Sequence, residues 1–251
     1  MAFFRWTVTA SSLLLIMLSM SQVFAVEPDW QQYNQLLADN VSRGKKNGVE
    51  LNQLDYQRLR QDARLQTVYQ QIADYPLHKL QTNEEKLAFY INAYNILAIK
   101  IIIDHWPVSS IRDIGNWLNP VWKKDAGTIG GKNVTLHAVE HEILRKMGDP
   151  RIHMAIVCAS VSCPDLRQEA YTARQLNAQL DAQSLNFLSN SKKGLLRQGN
   201  RVHVSKIFDW FEEDFDSMGG LVAFFRKYKP ELPAGMEIET DLNYDWELNS
   251  K

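Results

Sequence analysis

The stretch "TNEEKLAFYINAYNILAIKIIIDHWP", Thr82 to Pro107, decides the fold. Thr82 followed three residues later by Glu85 is a capping-box pattern, in which each side chain bonds the other residue's backbone N–H and so starts a helix. Pro107 stops it, because proline has no N–H to offer the ladder and its ring clashes with the preceding turn. Between these signals the apolar residues lie all round rather than along one stripe, which predicts a helix enclosed on every side, the central element of the fold. Asn92 and Asn95 are three apart on it and share a face. A buried amide without partners is unfavourable by a few kcal/mol, so each needs a bonding role. That role is either to tie a neighbouring loop to the helix or to orient a catalytic histidine.

Outward from this helix, Trp30, Tyr33, Leu36, Leu37 and Val41 recur three or four apart, as do Leu59, Ala63, Val68 and Ile72, and each set predicts an amphipathic helix. After Pro107 the chain reads as loop, with Gly130-Gly131 at a hairpin or tight turn. A helix follows over Leu136 to Met147, closed by Gly148 and Asp149-Pro150. Ile152 to Ala159 alternates and is β-branched, which predicts a buried strand. Thr172 to Gln175 repeats the capping-box pattern and opens a helix to about Leu188. "LLRQGNRVHVSKIF" reads as strand, Gly199-Asn200 turn, strand; "DWFEEDF" and "LVAFFRKY" as short helices; the tail "EIETDLNYDWELN" as strand-like. The fold class is α+β: a single compact domain, mostly helical with a small antiparallel or mixed sheet. Residues 26–55 read as an N-terminal helical extension and 56–251 as the domain proper.

The opening "MAFFRWTVTASSLLLIMLSMSQVFA" places Arg5 before an apolar run and closes on Val23-Phe24-Ala25, the layout of a signal peptide over residues 1–25. The run is short for a bilayer span, and no cysteine stands at the cleavage site to carry a lipid. We expect a periplasmic or secreted protein with no stable membrane span after cleavage. The formal net charge is −1 and the basic residues are scattered, so no nucleic-acid footprint is present. Of seven tryptophans, Trp6 falls in the leader and the others are dispersed, so no aromatic platform is legible.

Both cysteines lie in "HMAIVCASVSCP", His153 to Pro164. An oxidising compartment favours a Cys158–Cys163 bridge, which needs Cα atoms within about 7 Å and so a turn at Ala159 to Ser162. So short a loop adds little to global stability, and redox chemistry or local shape explains such a bridge better. Alternatively a thiol beside a histidine becomes a nucleophile. In a regular strand His153 and Cys158 point to opposite faces, but Cys158 could face Glu140 or His141 if the preceding helix folds back on the strand. "HAVEHEILR", His137 to Arg145, also matches the H-x-x-E-H pattern of inverted zinc proteases. On a regular helix Glu140 sits at the edge of the buried stripe, partly buried, with His153 or Arg145 as its nearest donor.

Five segments in order, "EEKLAFYINAYN", "LHAVEHEILR", "PRIHMAIVCASVSCPDL", "HVSKIFDWFEEDF" and "YDWELN", together resemble the family known as domain of unknown function 547 (DUF547), found in bacterial, plant and animal proteins. The resemblance runs from about Tyr56 to Asn249. It marks Asn92, Asn95, Glu140, His141, Arg145, His153, Cys158, Cys163 and Pro164, and leaves His137 free, which weakens the zinc-protease pattern. It implies a site location rather than a reaction, since no established activity defines the family.

The first expectation is therefore an envelope hydrolase or acyl transferase in which Cys158 or Cys163 is the nucleophile, His141 or His153 the base, Glu140 the orienting carboxylate, and Asn92, Asn95 and Arg145 polar supports. Its substrate would be a small molecule, peptide or glycan, with no cofactor. The alternatives are a binding or scaffold module with a permanent Cys158–Cys163 disulfide, and a zinc protein using Glu140, His141, His153 and a cysteine.

Overall fold

A computed structural model of the chain describes residues 27–251; the expected signal peptide lies outside the described residues. The α+β class holds. Helix α1 (Gln31–Asn40) leads into the hairpin β1 (Val41–Lys46) and β2 (Val49–Leu54). Described residues 27–55 thus hold one helix and a hairpin rather than a helical extension. The Asn47-Gly48 pair, with positive φ at both residues, is a hairpin turn signal that the helical pattern around it masks. Trp30, Tyr33, Leu36, Leu37, Val41 and Leu54 join the same core as the central helix. The expected helix over Leu59 to Ile72 is two, α2 (Tyr56–Leu59) and α3 (Arg64–Ala73), because Asp62 accepts the Arg64 N–H and restarts the chain.

Helix α4 (Asn83–Asp104) has the expected capping box: the Glu85 N–H donates to Thr82 Oγ1 at 3.1 Å and the Thr82 N–H to Glu85 Oε2 at 2.9 Å. It is apolar and long enough to cross a membrane by composition, yet its side chains are mostly enclosed by the surrounding elements. A hairpin, β3 (Asp125–Ile129) and β4 (Lys132–Thr135), turns at Gly130-Gly131 as expected and delivers the chain to the helical segment that bears Glu140. Over Ala138–Leu144 that segment is a π-helix: the Arg145 N–H reaches the carbonyl of Glu140, five residues back. This wider winding rotates side chains away from regular α-helical angles and is a feature frequent at functional sites.

The largest departure follows. Pro150–Met154 is a 3-10 turn, opened by Asp149, whose Oδ1 accepts the Arg151 N–H, and residues 155–163 are irregular. The expected strand over Ile152 to Ala159 fails for a physical reason. Ile152, His153, Met154, Ala155, Ile156 and Val157 are all buried, so the alternation marks no solvent face. The backbone partners of a strand are replaced by a side chain: the Val157 N–H donates to Asn95 Oδ1 at 2.9 Å and Asn95 Nδ2 to the Ala155 carbonyl at 3.0 Å. Asn92 does the same one turn earlier, to the carbonyl and N–H of Tyr171. Both amides therefore tie loops to α4, and neither orients a histidine.

Helix α5 (Leu176–Leu188) starts later than its capping pattern suggests. The Thr172 N–H is taken by Gln179 Oε1, whose amide also donates to Ala170, so residues 170–172 stay extended. Strands β5 (Leu195–Gln198) and β6 (Arg201–Val204) form the expected hairpin. Helix α6 (Ile207–Trp210), the 3-10 segment Glu212–Met218 and α7 (Gly220–Tyr228) follow, and β7 (Glu237–Glu239) pairs with β6 in parallel, making that small sheet mixed. Met154, Phe187, Phe208, Phe215 and Phe224 form a second core beside the one around α4. The irregular segment after Pro150 runs along the seam between them.

Replacing Asn95 by alanine strands one buried N–H and one buried carbonyl on that segment. The expected loss is about 2–4 kcal/mol of unfolding free energy, read by denaturant melts, whereas the exposed Asn186, replaced in the same way, changes stability far less.

Candidate functional site

The seam opens into a cavity of about 350 Å³, within the range of small-ligand sites. It gathers Glu140, His141, His153, Cys158 and Cys163, which come from the π-helix, the 3-10 turn and the irregular loop. His137 and Tyr94 also line it. Arg145 stands behind the wall, and Asn92 and Asn95 lie outside it.

Cys158 and Cys163 are disulfide-bonded, with Cα atoms 6.2 Å apart. The turn that brings them together includes Ala159 at φ 61°, a left-handed conformation unfavourable for a residue with a Cβ. The two sulfurs differ in access: Cys163 is buried and Cys158 is half-buried. The Cys158 N–H donates to Cys163 Sγ at 3.1 Å, and the Tyr244 hydroxyl lies 3.4 Å from each sulfur. Ser160 Oγ is 3.4 Å from Cys158 Sγ. Among the described residues no histidine is hydrogen-bonded to a sulfur. Below the loop, the buried Lys193 donates to the Cys163 carbonyl at 2.7 Å and to the buried Asp165 at 2.6 Å. Burial pulls the Lys193 ammonium pKa down, and Asp165 partly offsets that.

Glu140 is 7 % exposed, and burial pushes its pKa up to about 7, with the Tyr94 hydroxyl opposing. Its hydrogen-bond donor is Tyr94, 3.3 Å from Oε2, and neither His153 nor Arg145 as regular helical geometry suggested. The carboxylate that orients a histidine is instead Asp214. His153 Nε2 lies 2.7 Å from Asp214 Oδ2, and Arg145 grips the same carboxylate through Nε and Nη2, both at 2.7 Å. Because a carboxylate only accepts, His153 carries its proton on Nε2 and its basic nitrogen is Nδ1. Arg145 Nη1 donates to His141 Nδ1 at 2.9 Å, so Nδ1 is the acceptor there. Burial lowers both histidine pKa values, for His153 against the pull of Asp214, and for His141 with added repulsion from His137 and Arg145. Burial would raise Asp214, but the hydrogen bonds from His153 and Arg145 reverse this and hold it well below the ordinary range.

Asp214 is missed by the sequence reading because it sits in an acidic run, Glu212-Glu213-Asp214, that looks like a solvated surface. Its one signal is position, between Phe211 and Phe215, both turned toward the apolar face. The aromatic wall is missed because its members are far apart in sequence. Trp122, Trp210, Tyr244 and Trp246 converge at the mouth: Trp210 stacks on Trp246 at 5.7 Å, Trp122 meets Trp246 edge-on at 5.6 Å, and Tyr244 lies 4.6 Å from Trp246. Three of the dispersed tryptophans do form a platform.

A metal set of Glu140, His141, His153 and a cysteine does not assemble. Arg145 occupies the space between His141 and Asp214, and the group among the described residues whose ligand atoms lie within 4.8 Å of one another is His203, Glu239 and Asp241, away from this cavity.

Among known families, residues 77–188 fit the model described as "Protein of unknown function, DUF547". Over that segment the chain is similar to the DUF547 family. The matched residues span α4, the π-helix and the disulfide loop, while Asp214, Tyr244 and the tryptophans at 210 and 246 lie beyond them. No curated protein and no solved structure matches the chain.

The raised Glu140 pKa carries a pH prediction. The folded protein holds a proton that the unfolded chain, with an ordinary glutamate near 4.5, has already released. Stability therefore falls as pH rises from about 4.5 to about 7, by a total of about 3 kcal/mol, and then levels off. Glu140→Gln removes that dependence. It should raise the melting temperature at pH 8 and leave it near wild type at pH 5, whereas a variant less stable at both would show that the carboxylate is ionised and paired.

Proposed function

We propose that this protein is a thiol–disulfide exchange enzyme of the cell envelope, with the Cys158–Cys163 bridge as its reactive group. The observation that carries the reading is a disulfide forming part of the wall of an aromatic-lined cavity, one sulfur reachable and the other provided with hydrogen-bond donors. A substrate thiolate attacks Cys158 Sγ, the S–S bond breaks, and Cys163 leaves with the electron pair. The Cys158 N–H and the Tyr244 hydroxyl stabilise that thiolate until it is protonated. A second substrate thiolate then attacks the mixed disulfide, releases Cys158 and closes the substrate's own disulfide. An oxidised thiol compound of the same class restores the bridge. Glu140, titrating near neutrality, takes up the proton of an incoming thiol. The expected export to an oxidising compartment is consistent with this chemistry.

Acyl transfer is the second reading, favoured by the Asp214–His153 pair, which provides an oriented base once the bridge is reduced. The sulfurs touch Tyr244 and Ser160 rather than a histidine, so exchange is the better-supported of the two.

With Cys163→Ser, Cys158 should form a stable mixed disulfide with an offered small disulfide, seen as an intact-mass increment. In Cys158→Ser, the enclosed Cys163 should react at least about tenfold more slowly. Equal, slow labelling of both variants would refute the exchange reading, and a mass increment from an ester substrate on reduced wild-type protein would favour acyl transfer.

A further inference from the structure

The cavity does not end at the tryptophan wall. A second hollow of about 560 Å³ shares Pro120, Trp122 and Trp246 with it and continues past Arg112 to Trp117, which is 88 % exposed. The Arg112 guanidinium lies 5.2 Å over the Trp246 ring and has no ion pair among the described residues. Lys123, on the shared side of the first cavity, likewise has no ion pair among them. The acid on the same wall, Asp113, is already engaged, since its Oδ2 accepts the N–H groups of Ser109 and Ser110 at 3.1 and 2.9 Å. Asp209 and Glu212 line a different hollow. The groove leading away from the disulfide thus has an aromatic floor and two uncommitted cations at its edge.

Building on the exchange reading, we propose that the substrate is a cysteine-bearing peptide segment with an acidic residue close to the cysteine. The cysteine side chain enters the first cavity to meet Cys158. The following residues run extended over Trp246, each advancing about 3.3 Å, and the acidic side chain reaches Arg112, with Lys123 adding to the field. A guanidinium already held over a ring keeps its planar donors outward, ready for a carboxylate. A small thiol fills only the first hollow, so the second is explained by a longer ligand.

The test uses the whole protein and three reduced peptides identical except for Glu, Gln or Lys two residues after a single cysteine. The rate at which each reduces the Cys158–Cys163 bridge is followed by mass after thiol alkylation, with a small monothiol as reference. The Glu peptide should react about tenfold faster than the Gln peptide, the Lys peptide more slowly than either, and high salt should narrow the spread. Arg112→Gln should bring the Glu and Gln peptides close to one rate, while Lys79→Gln, at a residue that lines neither hollow, keeps them apart. Equal rates for all three peptides, or a preference that survives Arg112→Gln combined with Lys123→Gln, would overturn the proposal. In either of those cases reaction with the monothiol leaves the exchange reading standing, whereas no reaction with any thiol overturns both.

Discussion

The two hydrogen bonds from the Asn95 amide to the backbone on either side of Ile156 are the contact on which the site depends. A buried irregular segment has no ladder to satisfy its N–H and C=O groups, and each unsatisfied group is unfavourable enough to reject the conformation. Asn95 supplies one donor and one acceptor from a helix that is itself packed on all sides. Beyond Val157 the C-terminal tail takes over: Val161 donates to Glu247, Ser162 to Asp245, and Asn249 to Ala159. The same tail carries Tyr244 and Trp246. The disulfide loop and its aromatic wall are therefore positioned by one set of backbone bonds.

Burial in the seam sets the electrostatics. Three acidic or basic groups meet the same loss of water with different outcomes, according to their partners. Asp214 receives charged and imidazole donors and stays ionised; Glu140 has a single phenol and is pushed toward the neutral acid; His153 is kept toward the neutral imidazole with a defined tautomer. Near neutral pH the cavity thus holds a carboxyl group able to exchange a proton and an imidazole oriented by an ionised carboxylate, beside a disulfide whose buried sulfur is already hydrogen-bonded. The arrangement suits chemistry in which a sulfur gains or loses an electron pair and a proton moves separately.

Much of the scaffold is legible in the sequence, because its signals are local. Thr82 with Glu85 starts α4, Pro107 lies just past its end, and Gly199-Asn200 closes the β5–β6 hairpin, each through a physical effect confined to a few residues. The segment after Pro150 is misread because β-branched alternation has meaning only where one face meets solvent, and here both faces are enclosed. The π-helical winding around Glu140 leaves no mark in periodicity, so the direction of that side chain and its partner Tyr94 are out of reach of helical angles. Lys193 looks like half of an ordinary surface pair with Lys192, yet it is buried under the disulfide loop with Asp165. Contacts spanning most of the chain, such as those of Tyr244 with the sulfurs, are set by tertiary packing alone.

The central claim is that this disulfide is poised for exchange rather than locked as a brace. Equilibrating the native protein in glutathione buffers of graded potential, then counting alkylated cysteines by intact mass, measures that directly. The account predicts a single two-electron transition at a potential above about −300 mV with the fold intact. A bridge that stays oxidised below that value, or that opens only as the protein unfolds, would contradict it.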